Sequence, residues 1–443
     1  MTSIVSGAPQ SIAFEEAPLR PFHIRTVLSG TGGQFSDGYV LGIIGIAISL
    51  AAGPLQLTTL WLGLLGAASL AGLFLGSLIA GPIADRFGRR PIFAFDMLVF
   101  TGISVLQFFV AEAWQLLVLR ILLGVTLGAD YVVSKSLVTE FAPRRLRGRL
   151  LSILAVAWAA GYVCAYGVGY MLHDLDADAW RWILFSSAVP SVLIFFMRMG
   201  IPESPLWLVN NGRRVEAQQI IAKKLGSDIA APQFIKVEKG KGSTYRQLFS
   251  GRWRRHTIVG GLFYTCQVIP FFAMSTFTPR ILEALNVKGS YTAGAIYNLF
   301  LMLGALMGLF IIDKVSRRSF LIVSFYLMAC TLGALALWRD MPVTMVIVIF
   351  AAFAFILAAA VNLEFVYPPE LFPTELRASG VGLAVAASRF GSAVTTFLLP
   401  VMVERFGIHM ALGACVCVTL IGAFVCQCWA PETSHLNLSS VSK

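Results

Sequence analysis

The chain has 443 residues, of which 57% are apolar and 13% charged, and its mean hydropathy is +0.77. A soluble globular protein carries about a quarter of its residues charged, so this composition excludes one. The net charge of +11 would suit a nucleic-acid binder, but the Lys and Arg residues sit at the ends of apolar runs, so no nucleic-acid partner is expected.

Residues 1–22 are mixed and polar, read as a cytoplasmic tail with no cleavable signal peptide. Apolar runs, each long enough to cross about 30 Å of hydrocarbon, then predict twelve helices. The first six lie near 26–50, 60–82, 92–111, 115–138, 149–172 and 180–199, and the second six near 257–282, 291–312, 319–338, 342–366, 378–402 and 408–430. The fold class is therefore an all-α integral membrane protein. The predicted units are an N-terminal bundle (23–199), a cytoplasmic linker (200–256), a C-terminal bundle (257–430) and a cytoplasmic tail (431–443). With the N-terminus placed inside, 26 Lys and Arg residues fall on the cytoplasmic side and five on the other. By the positive-inside rule both termini are cytoplasmic and the membrane is the cell (inner) membrane. In the linker, Ser204 is a candidate helix cap with Pro205 at the first helical position. The stretch 226–243, rich in Gly, Lys and Ser, reads as a flexible connector.

The halves are repeats. DRFGRR (85–90) echoes in DKVSRR (313–318), EFAPRRLRG (140–148) in ELFPTELRA (370–378), and PESPLWL (202–208) loosely in PETSHLNL (431–438). The offsets are nearly equal, which implies two six-helix bundles related by a pseudo-twofold axis. Proteins of that plan commonly bind substrate between the halves near the midplane. All seven cysteines lie in apolar runs, without disulfide or metal-ligand spacing, so neither a metal nor a cofactor is expected. There is no Walker A, HExxH or GxSxG pattern, and an enzyme is not expected.

These motifs resemble the major facilitator superfamily, in its sugar and metabolite:proton symporter branch. The residues that carry the resemblance are GPIADRFGRRP (81–91), Arg120 with Gly124 and Gly128, EFAPRRLRG, PESPLWL, YPPELFPTELRASG (367–380) and PET (431–433). GADYVVSK (128–135) is similar to the fourth helix of phosphate:proton symporters, and SRFG (388–391) to the eleventh helix of organic-anion transporters. The resemblance implies a central cavity bordered by helices one, four, seven and ten. It further implies a lone working unit, so a monomer is expected.

Ionisable residues inside membrane spans are costly and by default functional. Asp37, Arg120, Asp130, Lys135, Glu364 and Arg389 fall inside predicted spans. Asp37, Asp130 and Arg120 are the proton-coupling candidates. By depth Asp37 lies between the other two, so an Asp37–Arg120 contact or an Asp37–Asp130 acidic pair is possible, and Asp37 is either the coupling carboxylate or a structural partner. Related sugar symporters carry their acid at the position of Val40. Arg389 is either an anchor for an anionic substrate, its planar fork matching carboxylate or phosphate, or the partner of Glu364. Lys135 either snorkels to the interface or meets an anion. Gln267, Tyr131, Asn298 and Asn362 complete the substrate-binding candidates, with helix–helix hydrogen bonding as the alternative for the asparagines. Two similar clusters, Asp85, Arg89, Arg90, Glu140, Arg147 and Asp313, Arg317, Arg318, Glu370, Arg377, are read as a duplicated gate.

The sequence thus predicts a secondary transporter working by alternating access, taking up a small polar or anionic metabolite such as an organic acid or sugar together with a proton. A sugar or polyol uniporter or exchanger, and a transport-inactive sensor, are the alternatives.

Overall fold

The structure is a computed structural model that describes residues 12–173, 175, 178–232, 244–251, 253–285 and 290–433. Among them are twelve helices long and apolar enough to cross a membrane: α1 (Pro21–Ala51), α2 (Thr59–Phe87), α3 (Arg90–Phe109), α4 (Ala113–Phe141), α5 (Arg144–Leu172), α6 (Ala179–Arg198), α7 (Arg254–Thr276), α8 (Ala293–Ile311), α9 (Arg317–Leu337), α10 (Val343–Leu371), α11 (Leu376–Phe406) and α12 (Ile408–Trp429). All twelve predicted spans are present. Two differ in detail. The sixth is broken at Ser186–Ser187, and the seventh ends at Thr276, with a separate short helix over Thr278–Ala284.

Lipid supplies no hydrophobic drive between helices, so close approach falls to small residues. Gly38 of α1 and Gly161 of α5 face each other's main chains. A Cβ on Gly38 would sit 2.0 Å from the Trp158 carbonyl oxygen, and one on Gly161 2.0 Å from that of Phe35. Gly72 of α2 and Gly124 of α4 repeat the arrangement, at 2.0 Å from the Ile121 oxygen and 2.2 Å from the Ser69 oxygen. Between the halves, α2 packs on α11 and α5 on α8, and Gly382 of α11 lies against the Ser77 carbonyl of α2.

One face of the bundle, called here the basic face, carries the loops after α2, α4, α6, α8 and α10. In its long connection Ser204 caps the helix Pro205–Asn210 by accepting from Trp207 N, as the sequence predicts, and Arg214–Lys224 follows. The predicted connector 226–243 is partly ordered: Ile229–Ala230 pair in parallel with Ile12–Ala13 of the N-terminal segment, and Arg20 bonds Asp228 at 2.7 Å. Residues 233–243 of that connector lie outside the described residues, as do 1–11 and 434–443 of the tails.

Because the α1–α5 seam has no room for a side chain, Gly38→Val should cost about 2–3 kcal/mol. A fall in apparent Tm of roughly 2–3 °C in detergent, with loss of the monodisperse peak on gel filtration, is the expected result.

Candidate functional site

The intramembrane charges fall into two groups and a gate. The first group lies wholly within the N-terminal half. Asp37 of α1 and Asp130 of α4 are both fully buried and share one donor: Gln34 Nε2 stands 3.2 Å from Asp37 Oδ2 and 3.4 Å from Asp130 Oδ2. Asp130 Oδ1 also takes Ser134 Oγ at 2.6 Å and Arg198 Nη2 at 2.7 Å. Arg198 holds Asp96 of α3 through Nη1 at 2.8 Å, with its guanidinium carbon 4.0 Å over the Phe93 ring. Gly33 leaves the space for this group, since a Cβ there would lie 1.8 Å from Arg198 Nη2.

Of the two sequence alternatives the acidic pair Asp37–Asp130 forms and the Asp37–Arg120 contact does not. Arg120, 1% exposed, instead donates from Nη2 to the Val40 carbonyl at 3.1 Å. Where related sugar symporters carry an acid, the main-chain oxygen of the same residue takes the guanidinium. Sequence reasoning missed Gln34, Asp96 and Arg198. Arg198 stands at a span boundary and counts as a loop charge there, yet it is 1% exposed.

The second group lies between the halves. Tyr131 of α4, Trp158 of α5, Val268, Phe271 and Phe272 of α7, Val361, Glu364 and Phe365 of α10 and Arg389 of α11 enclose a cavity of about 10 Å³, space for roughly one water molecule. Lys135 does not snorkel. It is fully buried, its Nζ 3.0 Å from Tyr264 Oη and 3.5 Å from the Glu364 carbonyl, and 4.0 Å from the Phe365 ring centroid. The three rings around its Nζ, Tyr131, Tyr264 and Phe365, make this end of α4 a cation–π environment rather than an interface.

Arg389 makes no ion pair with Glu364 within 4.0 Å. Its Nε and Nη1 are buried with no hydrogen-bond partner among the described residues, and its guanidinium carbon lies 5.2 Å from the Tyr131 and Phe272 ring centroids and 5.7 Å from that of Tyr264. Both amide atoms of Gln267 are likewise buried without a partner. Asn362 ties α10 to α8, its Nδ2 donating to Ala305 O at 3.1 Å, whereas Asn298 Nδ2 donates within α8 to Gly294 O at 2.9 Å. Their carbonyl oxygens have no partner among the described residues.

On the basic face the repeated motifs meet. Arg89 binds Asp85 at 3.1 Å and Glu140 at 3.0 Å, while Arg317 lies 3.6 Å from both Asp313 and Glu370. Each cluster reaches across to the other half. Asp85 accepts from Ser379 N and Oγ at the start of α11, at 3.1 and 2.7 Å, and Asp313 pairs with Arg149 at the start of α5 at 3.1 Å. Arg90 and Arg318 depart from expectation. They are exposed and contribute backbone N–H groups, with Glu203 accepting from residues 89 and 90 and Glu432 from 317 and 318. Arg377 donates to the Pro369 carbonyl at 3.1 Å, and Arg147 lines a vestibule with Arg317 and Glu370. The signal for Glu203 and Glu432 was the PES/PET echo itself.

Twelve spans in two repeated bundles, joined at a duplicated polar face and enclosing charged and aromatic side chains, define a secondary transporter of the alternating-access type. The chain matches the sugar (and other) transporter family over residues 26–443 and belongs to it, within the major facilitator superfamily. It is 40% identical over 427 residues to the inner membrane metabolite transport protein YgcS of Escherichia coli (96% of this chain, 95% of that protein). It is 26% identical to the niacin transporter NiaP of Acinetobacter baylyi, covering 96% of this chain and 98% of the relative. The fold superposes on the proton:xylose symporter XylE bound to 6-bromo-6-deoxy-D-glucose with a TM-score of 0.79 at 20% identity, covering 95% of this chain and 98% of that one. The protein is therefore an integral inner-membrane transporter, not an enzyme.

The cross-half contacts give a distance test. In a cysteine-free background, spin labels at the exposed positions Arg144 and Lys314 should move apart in Asp85→Ala/Asp313→Ala, since both bridges are lost. Arg90→Ala, which keeps its backbone donor, should leave the distance distribution unchanged.

Proposed function

We propose that the chain is a monomeric proton symporter that takes up a small organic carboxylate with an apolar or aromatic body, both termini being cytoplasmic. The observation that carries this reading is Arg389: a buried guanidinium with two nitrogens unpartnered, among aromatic rings and close to Lys135. An unpaired charge buried away from water costs several kcal/mol, and a carboxylate would supply the missing acceptor in bidentate geometry. The rings of Tyr131, Trp158, Phe271, Phe272 and Phe365 suit a flat or apolar body on that carboxylate. A relative named for niacin, itself an aromatic carboxylate, agrees with it.

In this reading Arg389 and Lys135 hold the anion, and Glu364 and the Tyr264 hydroxyl position them. Asp37 and Asp130 carry the proton in the N-terminal half, and Arg120 fixes α1 against α4. The Asp85–Ser379 and Asp313–Arg149 bridges close the basic face, taken as cytoplasmic from its excess of Lys and Arg. With that face closed, and Gly45 of α1 against the Thr276 carbonyl and Gly294 against Tyr166 towards the other face, the cavity is contracted between two closed ends. Substrate loading requires the halves 23–199 and 257–430 to rock apart on one side at a time. Gln267 supports a second reading, a sugar or polyol, because an amide with both atoms free can bind a hydroxyl pair.

A thermal-shift screen of the purified protein decides between these. Nicotinate should stabilise it at acid pH, and xylose should not. Stabilisation by xylose alone would overturn the carboxylate reading. Arg389→Gln should weaken nicotinate at least about tenfold, since a charge-assisted hydrogen bond contributes ~1.5–3 kcal/mol. In proteoliposomes an inside-alkaline gradient should drive nicotinate accumulation. Asp37→Asn should abolish accumulation while nicotinate exchange persists.

A further inference from the structure

We infer that Asp96 and Arg198 extend the proton site into a relay inside the N-terminal half, running Asp37–Asp130–Asp96 towards the basic face with Arg198 as its counter-charge. The inference rests on the reading that Asp37 and Asp130 carry the transported proton, and adds two residues to it.

The geometry is that of a ladder. Gln34 Nε2 bridges Asp37 and Asp130, at 3.2 and 3.4 Å, and Arg198 bridges Asp130 and Asp96, at 2.7 and 2.8 Å, so Asp130 stands between the other two carboxyls. Two carboxyls hydrogen-bond to each other only through a shared proton, because ionised carboxylates are acceptors alone. Full ionisation would leave three carboxylates against a single guanidinium in the bundle interior. Arg120 is bound to a main-chain oxygen instead, and on α4 Tyr131 lies by Arg389 and Lys135 by Tyr264, both in the second group. The α5 residues nearest this part of α1 are Trp158, Gly161 and Tyr162, which bring no charge. On α6 Arg198 is the ionic partner, and on α3 Asp96. The ladder therefore holds protons that one arginine cannot replace.

Depth gives the ladder a direction. Asp37 stands sixteen residues into α1, Asp130 eleven from the end of α4 and Asp96 six into α3, about 24, 17 and 9 Å along the axes from the basic face. A proton leaving Asp37 Oδ2 passes to a lone pair of Asp130, and the electron pair of the broken O–H bond stays on Asp37. Asp130 then passes it to Asp96 in the same way, and Asp96 releases it to water at the basic face. Arg198 contacts Asp96 through Nη1 and Asp130 through Nη2, so it balances whichever of the two is ionised without moving across the helix. This route is separate from the cavity that holds Arg389, so the proton can leave while the substrate path is closed.

Infrared titration of the protonated-carboxyl band in the full chain, reconstituted in liposomes without substrate, tests the relay independently of what is transported. Relative to the constant signal of Glu364 and the basic-face acids, Asp37→Asn should keep part of the titrating band, and Asp37→Asn/Asp96→Asn should lose that part, Asp130 then facing Arg198 alone. Asp96→Asn should lower the midpoint of the remaining carboxyls by about one pH unit, since Arg198 is then left to Asp130 alone. Asp96→Glu should restore the wild-type curve, whereas Arg198→Lys, with one nitrogen for two carboxyls, should not. If Asp37→Asn removes all titration above that constant signal, or Asp96→Asn leaves midpoint and amplitude at the wild-type values, Asp96–Arg198 is a fixed ion pair and the relay is wrong. Loss of the titration in every variant together with loss of proton-driven nicotinate uptake would instead remove the proton-coupling reading on which the relay rests.

Discussion

The structure depends on one constraint: a charge placed at membrane depth must find its partner inside the protein. Four acids and four bases of the spans are buried here, Asp37, Asp96, Asp130 and Glu364 against Arg120, Lys135, Arg389 and, at the end of α6, Arg198. The partners are unequally distributed. Arg198 has two carboxylates, Arg120 a main-chain oxygen, Lys135 a hydroxyl and aromatic faces, and Arg389 aromatic faces with two nitrogens left over. That gradient from satisfied to unsatisfied runs from the N-terminal bundle into the interface between the halves. At that interface Arg389 keeps two nitrogens and Gln267 both amide atoms without a partner among the described residues.

The fold was legible because its signals are long and redundant. Twelve apolar runs, three repeated motifs and the Lys/Arg bias each point to the same two-bundle plan, and the spans fall where the runs do. The gate clusters were legible for the same reason, being repeated at nearly constant spacing. The parts that escaped were set by side-chain reach. Arg198 ends an apolar run, and nothing local tells an arginine that folds back onto Asp96 and Asp130 from one that faces water. Lys135 has the position of a snorkelling lysine, and only the arrival of Tyr264 and Phe365 from the other half turns it inward. For Arg120 the sequence offered an Asp37 contact as one of two alternatives, and the Val40 carbonyl of α1 that it binds instead carries no sequence signature, being a main-chain acceptor.

The repeat also exposes a division of labour. The basic-face clusters are symmetric: Asp85 and Asp313, Glu140 and Glu370, Glu203 and Glu432 occupy matching positions, and each half bonds the start of α5 or α11 in the other. The interior is not. At the same offset of about 230 residues, Asp37 corresponds to Gln267, Arg120 to Phe350, Asp130 to Ala360 and Lys135 to Phe365, while Arg389 corresponds to Ala159. Duplication supplied two matching polar clusters. Substitution then concentrated the acids in one bundle and the unpartnered guanidinium in the other.

Coupling between those two bundles has to cross the interface through side chains that touch both. Asp130, Tyr131, Ser134 and Lys135 lie within two turns of α4: Asp130 and Ser134 bind Arg198, Tyr131 stacks near Arg389, and Lys135 reaches Tyr264. A change of charge at Asp130 alters the force on a helix whose next residue borders the proposed anion site. Conversely, an anion on Arg389 lowers the positive potential felt at Lys135 and along α4. Proton and substrate then need no shared atom to influence each other, because one rigid helix presents a different face to each. Coupling of this kind is strongest when the cavity is small and dry, the state in which the cavity has room for about one water molecule and the charges are least screened.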